Sequence, residues 1–180
     1  MPETTPGVIK RVLDLGAHGI IVPQVTCAED VVLAVQYAKY PPLGTRGVGG
    51  DRATLWGLSL ASQTAIANQE TMVIPLIETV AAGRELDAIL DVPGVDAIYR
   101  GPADYSASAG WLGHWEGPGV AEAMLAFQNK ARSRGLASGI MATSLDDSRL
   151  RRDQGFQMIG LASDTGLLIR ALGEAIRALR

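Results

Sequence analysis

Short apolar runs alternate with amphipathic stretches along the whole chain. Five runs, at residues 19–23, 72–77, 95–99, 137–141 and 157–161, are rich in Ile, Val or Leu and bounded by Gly, Pro or a charge. Strands covered on both faces have this character. The stretches between them carry helical signals. Thr5 before Pro6 offers an N-cap with proline at the first helical position, and Gly16 closes that helix. Thr26 with Glu29 reads as a capping box ahead of Val31, Val32 and Val35. Residues 83–91 form a third helix stopped by Val92-Pro93-Gly94, and Pro118 opens a fourth that runs to Gly135. Ser144 with Asp147 caps a fifth, and Asp164 caps the last, residues 165–180. Residues 44–70 hold the longest stretch without a strand and read as a functional loop followed by an irregular helix.

Strands alternating with helices imply parallel βα units and a single α/β domain over residues 1–180. A complete eight-unit barrel takes roughly 250 residues, more than this chain offers. Composition narrows the function classes. Hydrophobic residues make up 47% and the net charge is −3, with no Lys/Arg-rich run, so neither nucleic acid nor an anionic membrane is an expected partner. The lone Cys27 fits a reducing cytoplasm, and no signal peptide or long apolar segment is expected.

Two carboxylates stand out by position. Glu78 directly follows the run at 72–77, and Asp104 lies in Gly101-Pro102-Ala103-Asp104 just past the run at 95–99. Both therefore fall at the C-terminal ends of consecutive parallel strands, the rim where α/β sheets bind ligands. Two hard oxygen donors with open positions suit Mg²⁺ or Mn²⁺; equally, strand-end carboxylates serve as helix caps or surface charges. The Gly101-Pro102 turn could turn backbone N–H groups toward a carboxylate. Arg46 lies in a second glycine-rich loop, Thr45 to Gly50, which could hold an anion but lacks the lysine and spacing of a P-loop. His18 falls at the opposite rim and reads as structural. His114 lies in the loop after Asp104, where packing is the simpler role. Cys27 has no histidine in register for thiol catalysis, and no nucleophile elbow is present.

Together these segments resemble the HpcH/HpaI aldolases, the 2,4-dihydroxyhept-2-ene-1,7-dioate and 2-keto-3-deoxy-sugar acid aldolase type. The likeness is carried by Leu13-Asp14-Leu15-Gly16-Ala17, Ile21-Val22-Pro23-Gln24-Val25, Tyr40-Pro41-Pro42-Leu43-Gly44-Thr45-Arg46-Gly47-Val48-Gly49, Ile77-Glu78-Thr79, Gly101-Pro102-Ala103-Asp104-Tyr105-Ser106 and Ser163-Asp164-Thr165. The resemblance implies a (β/α)₈ TIM barrel of the phosphoenolpyruvate/pyruvate type, here represented by about its last five βα units. It implies a divalent metal (Mg²⁺, Mn²⁺ or Co²⁺) on Glu78 and Asp104, and pyruvate on that metal with the Ala103 backbone in contact. Cleavage of a 4-hydroxy-2-ketoacid into pyruvate and an aldehyde follows, with no Schiff-base lysine; Lys10, Lys39 and Lys130 all fall in expected helices. Asp14 matches the aspartate that orients the family's general-base histidine. That histidine and a transition-state arginine belong to strands ahead of the residue matching Met1, so this sequence carries neither. A homo-oligomer built from dimers, up to a hexamer, is also implied.

Three departures are visible. Leu76 stands where the family has a substrate-contacting glutamine, and Arg100 replaces an apolar residue. Pro75-Leu76-Ile77-Glu78-Thr79 is instead similar to the citrate lyase β-subunit branch, so a CoA-ester lyase is one rival reading. A non-catalytic remnant of an aldolase is the rival from another class. Arg100 is open to two roles, a charge at the site or, by strand alternation, a residue aimed at the outer helices.

Overall fold

The computed structural model describes residues 1–179. In chain order its elements are α1 (Pro6–Asp14), β1 (Gly19–Val22), α2 (Ala28–Ala38), α3 (Leu60–Glu70), β2 (Met72–Ile77), α4 (Val80–Arg84), α5 (Leu86–Leu90), β3 (Ala97–Arg100), α6 (Pro102–Ser108), α7 (Val120–Ser133), β4 (Ala137–Met141), α8 (Leu145–Asp153), β5 (Met158–Gly160) and α9 (Asp164–Ala178). The strands form one parallel sheet in the order β1-β2-β3-β4-β5. Each expected strand exists, shifted by no more than two residues at an end.

Alternation along the strands separates two faces. Ile20, Val22, Val73, Ile77, Ile98 and Ile140 point to the helix layer, where they join Ile9, Leu13, Val31, Leu86, Ile89, Met124 and Phe127 in the core. Ile74, Leu76, Tyr99, Gly139 and Gly160 take the other face. There Tyr99 lies over two glycines: a Cβ on Gly139 would come 2.5 Å from Tyr99 Cδ2, and one on Gly160 would come 2.4 Å from its Oη. Small residues on β4 and β5 thus make room for the one aromatic ring on that face of β3.

Several caps differ in detail from expectation. Thr5 Oγ1 accepts from the Val8 N–H at 3.3 Å, as its position before Pro6 implies. The second helix starts one residue later than its Thr26–Glu29 pattern suggests: Cys27 is the N-cap, and Asp30 accepts from the backbone of Thr26 and Cys27. Burial works against the charged form of Asp30, but those hydrogen bonds outweigh it and hold its carboxyl below the usual range. The expected helix at 83–91 is two short ones, with Thr79 capping the first through Ala82 N–H. The fourth begins at Val120 behind Gly119, whose φ of 80° explains the glycine. Ser163 rather than Asp164 caps the last helix, accepting from Gly166 N–H. Residues 44–70 do hold a loop and a helix, α3, which buries none of its side chains. Among the described residues no helix is long and apolar enough to cross a membrane.

Candidate functional site

Glu78 and Asp104 come to the same rim because β2 and β3 are neighbours in register, with Ile77 level with Arg100. Glu78 is therefore level with Gly101. It is buried, and its Oε1 accepts from the backbone N–H of Gln24 at 2.7 Å. Gln24 lies just past β1 with φ of 56°, an uncommon left-handed conformation for a side chain-bearing residue. Three consecutive strands thus contribute to the site: β1 a fixed donor, β2 the carboxylate, β3 the segment opposite.

Gly101 is where β3 must have no side chain. A Cβ there would lie 3.0 Å from Glu78 Cβ and 3.5 Å from its Oε2. The segment Gly101 to Asp104 is not the free loop its Gly-Pro start suggested. Gly101 is the N-cap of α6, with Pro102 at its first position. Proline is tolerated there because its missing N–H has no intrahelical partner to lose. Ala103 and Asp104 occupy the exposed first turn, while Tyr105 and Ser106 are buried behind them. Leu76, two residues before Glu78, shares its face of the strand and approaches Gly101.

Among the described residues no group of three His, Cys, Asp or Glu side chains converges. Two carboxylates, one anchored through Oε1 and the other exposed, leave most positions to water or substrate oxygens. Mg²⁺ and Mn²⁺ are bound in that way, so the residues fit such an ion and do not fit a closed structural zinc site.

Asp14 and Arg46 form a separate cluster. Arg46 Nη2 donates to Asp14 Oδ1 at 2.8 Å, Lys10 Nζ donates to Asp14 Oδ2, and Arg46 stacks over the Tyr40 ring at 4.6 Å. Burial raises the cost of ionising Asp14, but the bonds from Lys10 and Arg46 overcome it and lower its pKa. Arg46 is itself buried, with its charge already matched. Both histidines are exposed rather than packed. His18 is exposed at the far rim, contributing its carbonyl to Met72 N–H, and His114 is exposed in a groove with Thr143, Asp146 and Arg151.

Arg100 points away from the rim. Alternation sends it under the sheet, fully buried, where Nη1 donates to Ile77 O at 3.0 Å. Its guanidinium lies 4.5 Å from the Tyr105 ring centroid and 4.0 Å from that of Phe127. Among the described residues Nε and Nη2 have no hydrogen-bond partner. The sequence marks neither this arrangement nor the Gln24 contact: the first needs α6 and α7 in place, and a backbone donor leaves no signature.

A parallel α/β sheet with Glu78 at the end of β2 and Asp104 in the helical turn after β3 has the ligand-binding rim common to α/β proteins, and comparison with known proteins makes the class specific. The family model for HpcH/HpaI aldolase/citrate lyase matches residues 1–171, and the chain belongs to that family. The hydroxypyruvate/pyruvate aldolase of Paraburkholderia phytofirmans is 34% identical over all of this chain and 71% of its own length. The 4-hydroxy-2-oxovalerate aldolase of Rhodococcus jostii is 35% identical over 94% of this chain and 66% of its own. A solved HpcH/HpaI aldolase/citrate lyase family protein from Burkholderia cenocepacia superposes with a TM-score of 0.92 at 33% identity, covering 99% of this chain and 71% of that one. The chain spans about two thirds of the length of these relatives.

Proposed function

We propose that this chain forms the metal- and ketoacid-binding part of a (β/α)₈ aldolase that cleaves a 4-hydroxy-2-ketoacid into pyruvate and an aldehyde. The observation that carries the reading is Glu78 held by the Gln24 N–H, with Gly101 beside its second oxygen and Asp104 on the adjoining helical turn. The names of the aldolase relatives support the reaction class.

Glu78 and Asp104 would hold Mg²⁺, Mn²⁺ or a similar ion. Such an ion, when bound, supplies Lewis acidity for the enolate that carbon–carbon cleavage leaves behind. The chain's own contribution is orientation. The Gln24 N–H holds the Glu78 carboxylate in place, which limits rearrangement on binding. Ala103, exposed beside Asp104 with its N–H in the unpaired first turn of α6, offers the backbone contact to the ketoacid. Leu76 gives that side of the site an apolar wall, favouring a small ketoacid over a polar one. The reading assigns binding to this chain and assigns the general base to no residue of it.

Titration calorimetry with Mn²⁺ tests the assignment. Glu78→Ala and Asp104→Ala are each expected to abolish binding, and pyruvate is expected to bind only with metal present. Unchanged affinity in both variants would overturn it.

Association with a second copy is part of the same reading. Along α9, Leu167, Leu168, Leu172 and Ile176 are each more than half exposed, although they recur at helical spacing. An apolar stripe of that kind normally marks an interface. Light scattering is expected to show a homo-oligomer, and a stable monomer at micromolar concentration would count against it.

A further inference from the structure

We propose that Arg100 is a positioning residue that couples the two metal-binding segments from behind the sheet. The role rests on the metal reading above but concerns a side chain that touches neither metal nor substrate.

Arg100 reaches both segments one residue away from their carboxylates. Its Nη1 donates to the carbonyl of Ile77, the peptide that leads directly into Glu78. Its guanidinium carbon lies over the ring of Tyr105, the residue directly after Asp104. Phe127 of α7 lies against an adjacent side at 4.0 Å and meets Tyr105 edge-on, with ring centroids 5.6 Å apart. Gly83 of α4 makes the space, since a Cβ there would come 2.8 Å from Phe127 Cζ and 3.4 Å from the Tyr105 ring. One planar cation therefore joins the end of β2, the first turns of α6 and the middle of α7.

Stability alone gives little reason for a charge here. Among the described residues Arg100 has no carboxylate partner, and two of its nitrogens make no hydrogen bond. The carbonyl it contacts already accepts from the Gly101 N–H at 3.3 Å. A buried apolar side chain would fill the same space without the desolvation cost. What the guanidinium adds is direction: the cation over its ring fixes Tyr105, while Nη1 fixes the Ile77 peptide. Carboxylates on two separate elements bind one ion well only if their spacing is held, and this contact holds it.

The test compares Mn²⁺ affinity, read as free Mn²⁺ by electron paramagnetic resonance, with stability read by urea unfolding. Arg100→Met keeps the packing and removes the flat charged face, and it is expected to stay folded but bind Mn²⁺ at least tenfold more weakly. Arg100→Lys can still reach Ile77 but cannot stack flat, and it is expected to lose severalfold. Ile89→Val, which trims the core on α5, controls for stability and is expected to bind as the parent does. Parent-level affinity in folded Arg100→Met overturns the proposal, and the same result in Arg100→Lys overturns it should the methionine variant not fold. Absence of Mn²⁺ binding by the parent itself refutes the metal reading and this role with it, whereas binding by the parent that Glu78→Ala abolishes and Arg100→Met leaves intact refutes this role alone.

Discussion

Arg46 and Arg100 are two buried arginines in one small domain, and they are stabilised by opposite means. Each lies over a tyrosine ring at nearly the same distance, 4.6 Å for Arg46 on Tyr40 and 4.5 Å for Arg100 on Tyr105. Arg46 also has a carboxylate, Asp14, which it shares with Lys10. Arg100 has only a carbonyl and a second aromatic ring. The first cluster is a matched set of charges whose removal in part leaves a charge stranded. The second is a lone cation whose desolvation is offset by stacking and shape. The difference separates a charge that ties α1 to the loop after α2 from one placed between the two halves of a candidate site.

Truncation should hit the aromatic pocket hardest. Arg100→Ala leaves an empty space beside Tyr105 and Phe127 as well as losing the contact with both rings, and an expected cost of about 3 kcal/mol follows from large-to-small core changes. Urea unfolding measures it; a loss below about 1 kcal/mol would show that the pocket collapses freely. Asp14→Ala comes next. It strands Arg46 in a buried position, but Asp14 is partly open to solvent, so an intermediate loss of about 2 kcal/mol is expected by the same measurement. If Asp14→Ala proved neutral, Arg46 would be held by Tyr40 alone, and the two sites would be alike after all. Smaller still is Arg100→Met, expected to change stability by no more than about 1 kcal/mol, because the charge it removes has no partner to strand.

How much of this was visible in the sequence follows from the range over which each contact acts. The strands and their order were legible because apolar runs and βα alternation are local patterns. The position of Glu78 and Asp104 at one rim was legible because Glu78 follows such a run directly and Asp104 lies a few residues past the next. The helical start at Gly101 was marked by proline at the first position, although Gly-Pro reads as readily as a turn. The Asp14–Arg46 pair spans 32 residues and the Gln24–Glu78 contact spans 54, and neither can be read before the sheet is assembled. Arg46 in a glycine-rich loop looked like an anion binder; the structure gives it an anion from the protein itself. Arg100 shows the limit most clearly. Alternation alone left two directions open, and only α6 and α7 packed behind β3 decide between them.

The last contrast between the two arginines is their response to pH. The carboxyl of Asp14 titrates below its ordinary value in the folded chain, because the bonds from Lys10 and Arg46 outweigh the cost of burial. Its contribution is therefore fully present above the unfolded pKa and is lost as the pH falls through the folded one. Arg100 has the opposite sign. Desolvation lowers its pKa from the usual guanidinium range to about 9, with the nearby Tyr105 acting against the shift. Below that value the folded chain carries an unfavourable buried charge. Between about 9 and the unfolded value the unfolded chain binds more protons than the folded one, so stability due to this group rises with pH. Other groups titrate in the same window, and the difference between the parent and Arg100→Met isolates this one. Unfolding free energies at pH 7, 9 and 10.5 should show the parent gaining on the methionine variant as the pH rises. The gap between the parent and Asp14→Asn should stay constant over that range and close only in acid. A parent-to-methionine difference that stays flat to pH 10.5 would mean that the two aromatic rings keep Arg100 charged without help from any carboxylate.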